Sequence, residues 1–341
     1  MAKKKKGGKK GRKHAYIGID VGGTKSLFAL FDAEFEVVAE EKFRSHPEKG
    51  GAKAFSRLLE SAIHSLMRAA AKRGLEVKVV GVGCAGDIDM RRGSVRSSPN
   101  LPFLNGYRFG PRLARLTGAK VFVGHDVQTG LYGEFMLGAA RKARHGIGIW
   151  VGTGVGGAIV IDRRLYQGAT GMAGDLGHYV LHAVVTSGDP SRKEVLDNVA
   201  SRTAIAGHAA ALAARHRAPS LRKEAGTDVK DIKASDLAES IRKGDKAVEK
   251  LVRSRASVIG TALSNLVDFL NPDVIVLGGG LTEAMPVLMR SEIRRAIDAH
   301  AVPKAARAVK VVVAQLHSHA GTTGAAKLAL DMFSDRPPID L

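Results

Sequence analysis

Residues 16–30 read YIGIDVGGTKSLFAL: an apolar run, two glycines, and a second apolar run. That pattern predicts strand, turn, strand. Residues 34–43 alternate polar with apolar and predict a third strand of the same meander. After a break at Pro47, Gly50 and Gly51, the residues Phe55, Leu58, Leu59, Ala62, Ile63, Leu66, Met67 and Ala70 recur at helical spacing. They predict a helix with one apolar face, ended by Gly74. Residues 77–82 form a short run that is apolar but for Lys78, which predicts a buried strand. The order β-β-β-α-β accounts for the first 85 residues. Residues 83–105 are irregular, but Val95, Leu101, Phe103 and Leu104 anchor them against disorder. A short helix is expected at 112–116 and a buried strand at 120–123. That strand ends in Gly124, His125 and Asp126, before a helix from about 128 to 137.

Residues 148–161, GIWVGTGVGGAIVI, repeat the opening design: strand, glycine turn with one threonine, strand. Helical patterns follow at 194–215, 234–241 and 247–270, the last closed by Asn271 and Pro272. A buried strand at 274–277 runs through three glycines into Leu281. A last strand at 309–314 and a small-residue helix at 321–332 complete the chain.

Charge changes the picture at one end. The net charge is +20, and residues 1–14 supply +8 of it without an acid, leaving +12 for the body. The Lys/Gly-rich segment reads as a disordered tail, either solubilising or binding polyanions non-specifically. No aromatic residue interleaves with its lysines, so it offers no stacking platform for single strands. The charge of the body suggests an anionic ligand or substrate. The single cysteine, Cys84, excludes an internal disulfide framework and a multi-cysteine metal site, and reads as a small buried hydrophobe. No apolar run reaches membrane-spanning length and no apolar segment follows the basic start, so the expected location is the cytoplasm, with no membrane partner.

Candidate chemistry gathers at the glycines. Asp20 ends the first strand, and Gly22, Gly23, Thr24 and Lys25 form the turn. Such a turn offers free N–H groups to phosphate oxygens, and Asp20 could hold a magnesium ion. The bland alternative is a hairpin whose glycines serve turn geometry alone. Gly152, Thr153, Gly154, Gly156 and Gly157 make the second turn. Two turns of one design imply two similar halves facing across a cleft. Asp126 stands at the C-terminal end of a strand, where open α/β sheets bind ligands. It reads as a general base, or as a plain helix N-cap. Asp175 and His178 lie in the glycine-rich stretch 168–178. Gly278, Gly279 and Gly280 form a strand-to-helix turn suited to a nucleotide, or an ordinary βα turn.

In this order and spacing, the motifs resemble the ROK family of sugar kinases, within the actin-like ATPase superfamily. The resemblance covers residues 16–332. It rests on Asp20-Val-Gly-Gly-Thr-Lys25, on Asn100-Leu-Pro with Asn105, and on Asp126. It rests further on Gly152-Thr-Gly-Val-Gly-Gly157, Gly174-Asp-Leu-Gly-His178 and residues 271–280. It implies an α/β chain of two ribonuclease-H-like domains and ATP- and Mg²⁺-dependent phosphorylation of a hexose, glucose first, at its 6-hydroxyl. Asp126 would be the general base. The two turns and Gly278–Gly280 would take ATP. Gly86, Asn100, Asn105, His125, Asp126, Asp175, His178 and Asp197 would contact the sugar. The implied domains are 15–124, with the helix at about 320–333 packing back on it, and 125–319. A homodimer is usual in the family.

Three positions depart from the pattern. His125 replaces the usual Asn, and Asp175 replaces Glu. The cysteine-rich zinc motif is missing from residues 187–201, so no zinc site is expected. That loss is shared by the polyphosphate-using glucokinase branch, which makes polyphosphate an alternative donor. A non-catalytic sugar-binding regulator is a further alternative. A repressor of this family would carry a DNA-binding domain ahead of the first turn, where only fifteen residues precede Tyr16.

Overall fold

The computed structural model describes residues 13–47, 50–183 and 193–339. The chain divides into two units, one reaching Asp126 and taking back Gly321–Pro337, the other spanning Val127–Ala320.

In the first unit, β1 (Lys13–Val21), β2 (Lys25–Phe31) and β3 (Val37–Arg44) form the antiparallel meander. Then come α1 (Gly51–Lys72) and β4 (Leu75–Cys84), which returns parallel to β1. A small hairpin, β5 (Asp87–Asp89) and β6 (Ser94–Ser97), occupies the stretch expected to be irregular. After α2 (Phe109–Thr117), β7 (Lys120–His125) completes the sheet in the order β3-β2-β1-β4-β7. The next helix, α3 (Asp126–Met136), starts at Asp126 itself.

Alternation along β1 sorts its side chains. Ile17, Ile19 and Val21 enter a core with Phe55, Leu59 and Ile63 of α1 and Phe109 and Leu113 of α2. The opposite face carries Gly18 and Asp20. There the last helix of the chain lies so close that a Cβ on Gly18 would meet the Thr322 carbonyl oxygen at 1.9 Å. Glycine at this position lets a helix backbone rest on a strand.

The second unit holds β8 (Gly146–Val151), β9 (Val155–Ile161), β10 (Arg164–Tyr166), β11 (Val180–Ala183) and β12 (Lys193–Val195). Helices α4 (Leu196–Ala200), α5 (Arg202–Ala214), α6 (Pro219–Ala225), α7 (Ala234–Arg242) and α8 (Lys246–Leu270) follow. The chain continues through β13 (Val274–Gly278), α9 (Gly280–Ala284), α10 (Pro286–His300), α11 (Pro303–Ala308) and β14 (Lys310–Val313) to α12 (Ala320–Met332). Its sheet runs β10-β9-β8-β13-β14. As in the first sheet, three antiparallel strands are followed by two parallel ones. This is the duplicated ribonuclease-H-like architecture of the actin-like ATPases.

Three expectations need correction. The basic tail does not extend to residue 14: Lys13 and His14 already pair with Leu75 and Glu76 in the sheet. The rest of the tail lies outside the described residues, as do 187–192 of the stretch compared with the zinc motif. Residues 194–215 are not one helix. Ser201 takes an extended conformation and caps α5, accepting from the Ala204 N–H at 3.2 Å. A hydroxyl that satisfies an orphan helix donor ends one helix and starts another. The helix α10, absent from the sequence reading, packs along α8 at Gly260, where a Cβ would lie 2.6 Å from that of Ala296.

Candidate active site

The two glycine turns are built for different reasons. In the first, neither Gly22 nor Gly23 has a left-handed φ, so the bland alternative, glycines serving turn geometry alone, has no left-handed backbone behind it. A Cβ on Gly22 would lie 3.4 Å from the Lys25 carbonyl oxygen, and one on Gly23 would lie 3.4 Å from the Asn100 Cβ. The turn closes by the Gly22 N–H donating to Lys25 O at 3.2 Å. Ser45, fully buried, donates its hydroxyl to Gly22 O at 2.6 Å and contacts the Ser26 hydroxyl at 2.9 Å. The hairpin is pinned from beneath by β3's end, and Asn100 stands beside it.

The second turn is packed. A Cβ on Gly154 would sit 2.8 Å from Asp197 Oδ1, one on Gly156 2.6 Å from Val127, and one on Gly157 2.4 Å from the Gly174 carbonyl oxygen. Its polar groups are latched by the start of the helical layer. Asp197 accepts from the Val155 N–H at 2.5 Å, the Arg202 N–H donates to Gly152 O at 2.9 Å, and the Thr203 hydroxyl donates to Thr153 O at 2.7 Å. The turn's carbonyls are therefore drawn towards α5, and the Val155 N–H towards α4. Arg202, Thr203 and Ser45 escaped the sequence reading. For Arg202 and Thr203 the only signal was a polar residue at a helix start, which many surface helices share; Ser45 follows β3 and carried none. Asp197, expected as a sugar contact, is committed through Oδ1 to holding this turn.

Asp20 is the exception among the enclosed carboxylates. Glu134, fully buried, accepts from the N–H groups of Ala139 at 2.7 Å and Leu316 at 2.8 Å. Asp245 accepts from the Leu221 N–H at 2.8 Å and the Ser240 hydroxyl at 2.7 Å. Those are satisfied by the fold. Asp20 is partly buried, and no hydrogen-bond donor among the described residues meets its carboxylate. Burial first, then the charge of Asp126, push its pKa up from 3.8 to about 7, with Lys25 opposing. The neighbouring Asp126 carboxylate raises the cost of charging Asp20 more than Lys25 relieves it. A hard divalent cation held by one or two carboxylates and by phosphate oxygens suits that donor set.

Asp126 is the first residue of α3, at the C-terminal end of the sheet, rather than a residue ahead of the helix. His125 Nδ1 lies 3.3 Å from its Oδ1. Cys84, fully buried, pairs with His125 in the β4–β7 register, and burial followed by Asp126 and Asp20 raises its pKa. It stays a thiol, a small apolar neighbour under two carboxylates.

The remaining candidates divide. Gly86 has φ 123°, and a Cβ there would strike the Ser97 carbonyl oxygen at 2.4 Å, so the loop itself needs it. Asn105 accepts from the Ser98 N–H at 2.8 Å, clamping that same loop. Thus Gly86, Asn100, Asn105, His125 and Asp126 all belong to the first unit with Asp20. Asp175 and His178 flank a short 3-10 turn, 3.8 Å apart and open to solvent, in the second unit. The neighbouring Gly177 would place a Cβ 2.3 Å from the Val155 carbonyl oxygen, which puts their loop against the second turn. Gly278 and Gly279 have structural reasons. A Cβ on Gly278 would lie 2.4 Å from Trp150, and Gly279 has φ 86° against the Val151 backbone. Gly280, the first residue of α9, meets nothing within 4 Å.

Residues 16–332 match the model of the ROK family. The glucokinase of Thermotoga maritima is 28% identical over 313 residues, 92% of this chain and 96% of that protein. The N-acetylgalactosamine kinase AgaK of a Shewanella species is 30% identical over 285 residues, 84% of this chain and 87% of that one. The crystal structure of a ROK family glucokinase from Streptomyces griseus, in complex with glucose and AMPPNP, superposes with a TM-score of 0.76 at 27% identity, covering 93% of this chain and 99% of that one. The chain therefore belongs to the ROK family.

Proposed function

We propose that this protein is a hexose kinase that transfers the γ-phosphoryl group of ATP to a sugar 6-hydroxyl, with glucose the first candidate and Asp126 the general base. The observation that carries the reading is the pair Asp20 and Asp126, electrostatically coupled at the C-terminal ends of β1 and β7 beside a glycine turn that packing does not explain. In this reading Asp126 accepts the proton of the attacking hydroxyl. A carboxylate in that role contributes on the order of 10²–10⁴-fold in rate. His125, at 3.3 Å, orients the Asp126 carboxylate. Asp20 holds Mg²⁺, whose chemistry when bound is to offset charge on the phosphate oxygens. Lys25 and the turn amides bind phosphate. Asn100, Asn105, Asp175 and His178 bind sugar hydroxyls. Both relatives reported above are named for sugar phosphorylation, and the solved Streptomyces griseus structure holds glucose with AMPPNP. The cytoplasm, where ATP is made, is the location that goes with this reading.

The test is a coupled assay of the full chain with Mg-ATP and a panel of hexoses. Turnover is expected on at least one, and none on any would sink the reading. Asp126→Asn is expected to lower kcat by about 10²–10⁴-fold while sugar binding persists. Sugar binding by the wild type without turnover would favour a regulator. Inorganic polyphosphate in place of ATP, in the same assay, decides the donor.

A further inference from the structure

Between β10 and β11 runs the loop that carries Asp175 and His178, and its first half has little of its own to hold it. None of residues 168–174, GATGMAG, is buried. Their one large apolar side chain, Met172, is 45% exposed. Gly168, Gly171 and Gly174 all take left-handed φ, at 65°, 85° and 90°. Glycines give a chain many other conformations to choose from, so fixing three of them carries a large entropic cost. Neither hydrophobic burial nor backbone preference accounts for the shape of this segment.

What holds it is polar, and it centres on one side chain. Gln128 lies on α3, two residues after Asp126, and is 4% exposed. Its Nε2 donates to the Gly171 carbonyl oxygen at 3.2 Å. Its Oε1 accepts from the Gln167 side-chain amide at 3.2 Å. The Gln167 carbonyl oxygen in turn accepts from the Ala173 N–H at 3.1 Å. One enclosed amide thus grips the loop at its root and at its middle. Further on, a Cβ on Gly174 would lie 2.8 Å from Ala158 Cα, so the chain rests on β9 there. The Asp175 N–H then donates to Met172 O at 3.4 Å, and the His178 N–H to Asp175 O at 3.2 Å. The buried amide must be satisfied, and the loop supplies both partners, so each fixes the other.

We propose that Gln128 is a positioning residue, which sets the place of the loop bearing Asp175 and His178 relative to the start of α3, where Asp126 stands. This rests on the kinase function proposed above. In that function Asp175 and His178 hold hydroxyls of a rigid sugar ring while Asp126 must reach another hydroxyl of the same ring. The spacing between loop and helix therefore decides whether the bound hydroxyl meets the base. A displacement of about 1 Å costs on the order of 10²-fold in rate. Gln128 is spent on Gly171 and Gln167, so it acts through the loop rather than on the sugar. The nucleotide side of the reaction does not depend on it.

The test is steady-state kinetics of the full chain, with hydrogen exchange of the ligand-free protein beside it. Gln128→Met keeps the length of the side chain and removes both bonds. The KM for hexose is expected to rise about tenfold or more, and the KM for Mg-ATP to stay within about twofold. The amides of 168–178 should exchange faster in the variant, and those of β8 at the wild-type rate. Gln167→Met, at a less buried position, should show the same split with a smaller rise. Combined with Gln128→Met it should add no more than about twofold, because both substitutions open one latch. The proposal is overturned if the hexose KM does not move in either variant, if both KM values rise alike, or if exchange over 168–178 is unaltered. A wild type without turnover on any hexose instead sinks the kinase reading, whereas an active wild type with unaltered variants sinks only the role of Gln128.

Discussion

The two glycine turns share a motif and differ in what enforces it. In the second, glycine is a packing requirement at Gly154, Gly156 and Gly157, where Asp197, Val127, Gly174 and Leu176 fill the space a Cβ would need, while Gly152 has room for one. In the first, neither the backbone nor the neighbours exclude a side chain at Gly22 or Gly23. The same string of residues thus has a bland explanation in one half of the chain and lacks one in the other. A glycine with no internal reason points outward, to what must approach it.

The largest effect that could break this comparison is steric. Gly157→Ala puts a methyl 2.4 Å from a carbonyl oxygen and 2.5 Å from Leu176 Cγ, so the strand must shift. A loss of about 1–3 kcal/mol in unfolding free energy is expected, read by thermal or denaturant unfolding. Gly22→Ala should leave stability within about 0.5 kcal/mol and instead weaken Mg-ATP binding, read by calorimetry. Equal destabilisation by both would remove the distinction.

Next comes pH. The folded pKa of Asp20, about 7, lies above its ordinary 3.8, so the folded state holds a proton that the unfolded state releases. Between those values the folded state binds more protons, and stability falls as pH rises from about 4 to about 7. Asp20→Asn should remove that fall in ligand-free protein. Added Mg-ATP should release a proton on binding near pH 6 in the wild type and none in the variant, which titration in two buffers of different ionisation enthalpy would detect.

The smallest effects sharpen the comparison. Thr203→Val removes the latch on the Thr153 carbonyl, worth about 0.5–1.5 kcal/mol, and should raise the KM for ATP several-fold without changing the KM for sugar. Thr203→Ser should restore it. Ser45→Ala removes the matching support under Gly22, with a similar cost in stability. If neither substitution moves the KM for ATP, the two turns do not need their supports.

Much of this was legible in the chain. The apolar runs announced β1, β2, β4, β7, β8, β9 and β13 because their side chains are largely buried, and β14 because its run of valines pairs with β13. The helical spacing from Phe55 to Ala70 announced α1. The break at Ser201 was not legible, since 194–215 is apolar-rich throughout and a single capping hydroxyl splits it. Nor was the assignment of Asp197, because a carboxylate 42 residues from the N–H it meets carries no mark of which group it will accept from.

The amino-acid sequence by itself determined the duplicated strand–glycine–strand design, the excess of cations and the carboxylates Asp20 and Asp126, because these depend on residue type and local periodicity. Only the tertiary structure decided which glycines are spoken for, which carboxylates the fold satisfies, and which loops it latches. Those depend on neighbours far apart in the chain, as when Thr322 lies on Gly18 or Glu60 meets Arg112. A hydrogen bond or a steric exclusion has no local signature until the chain has folded.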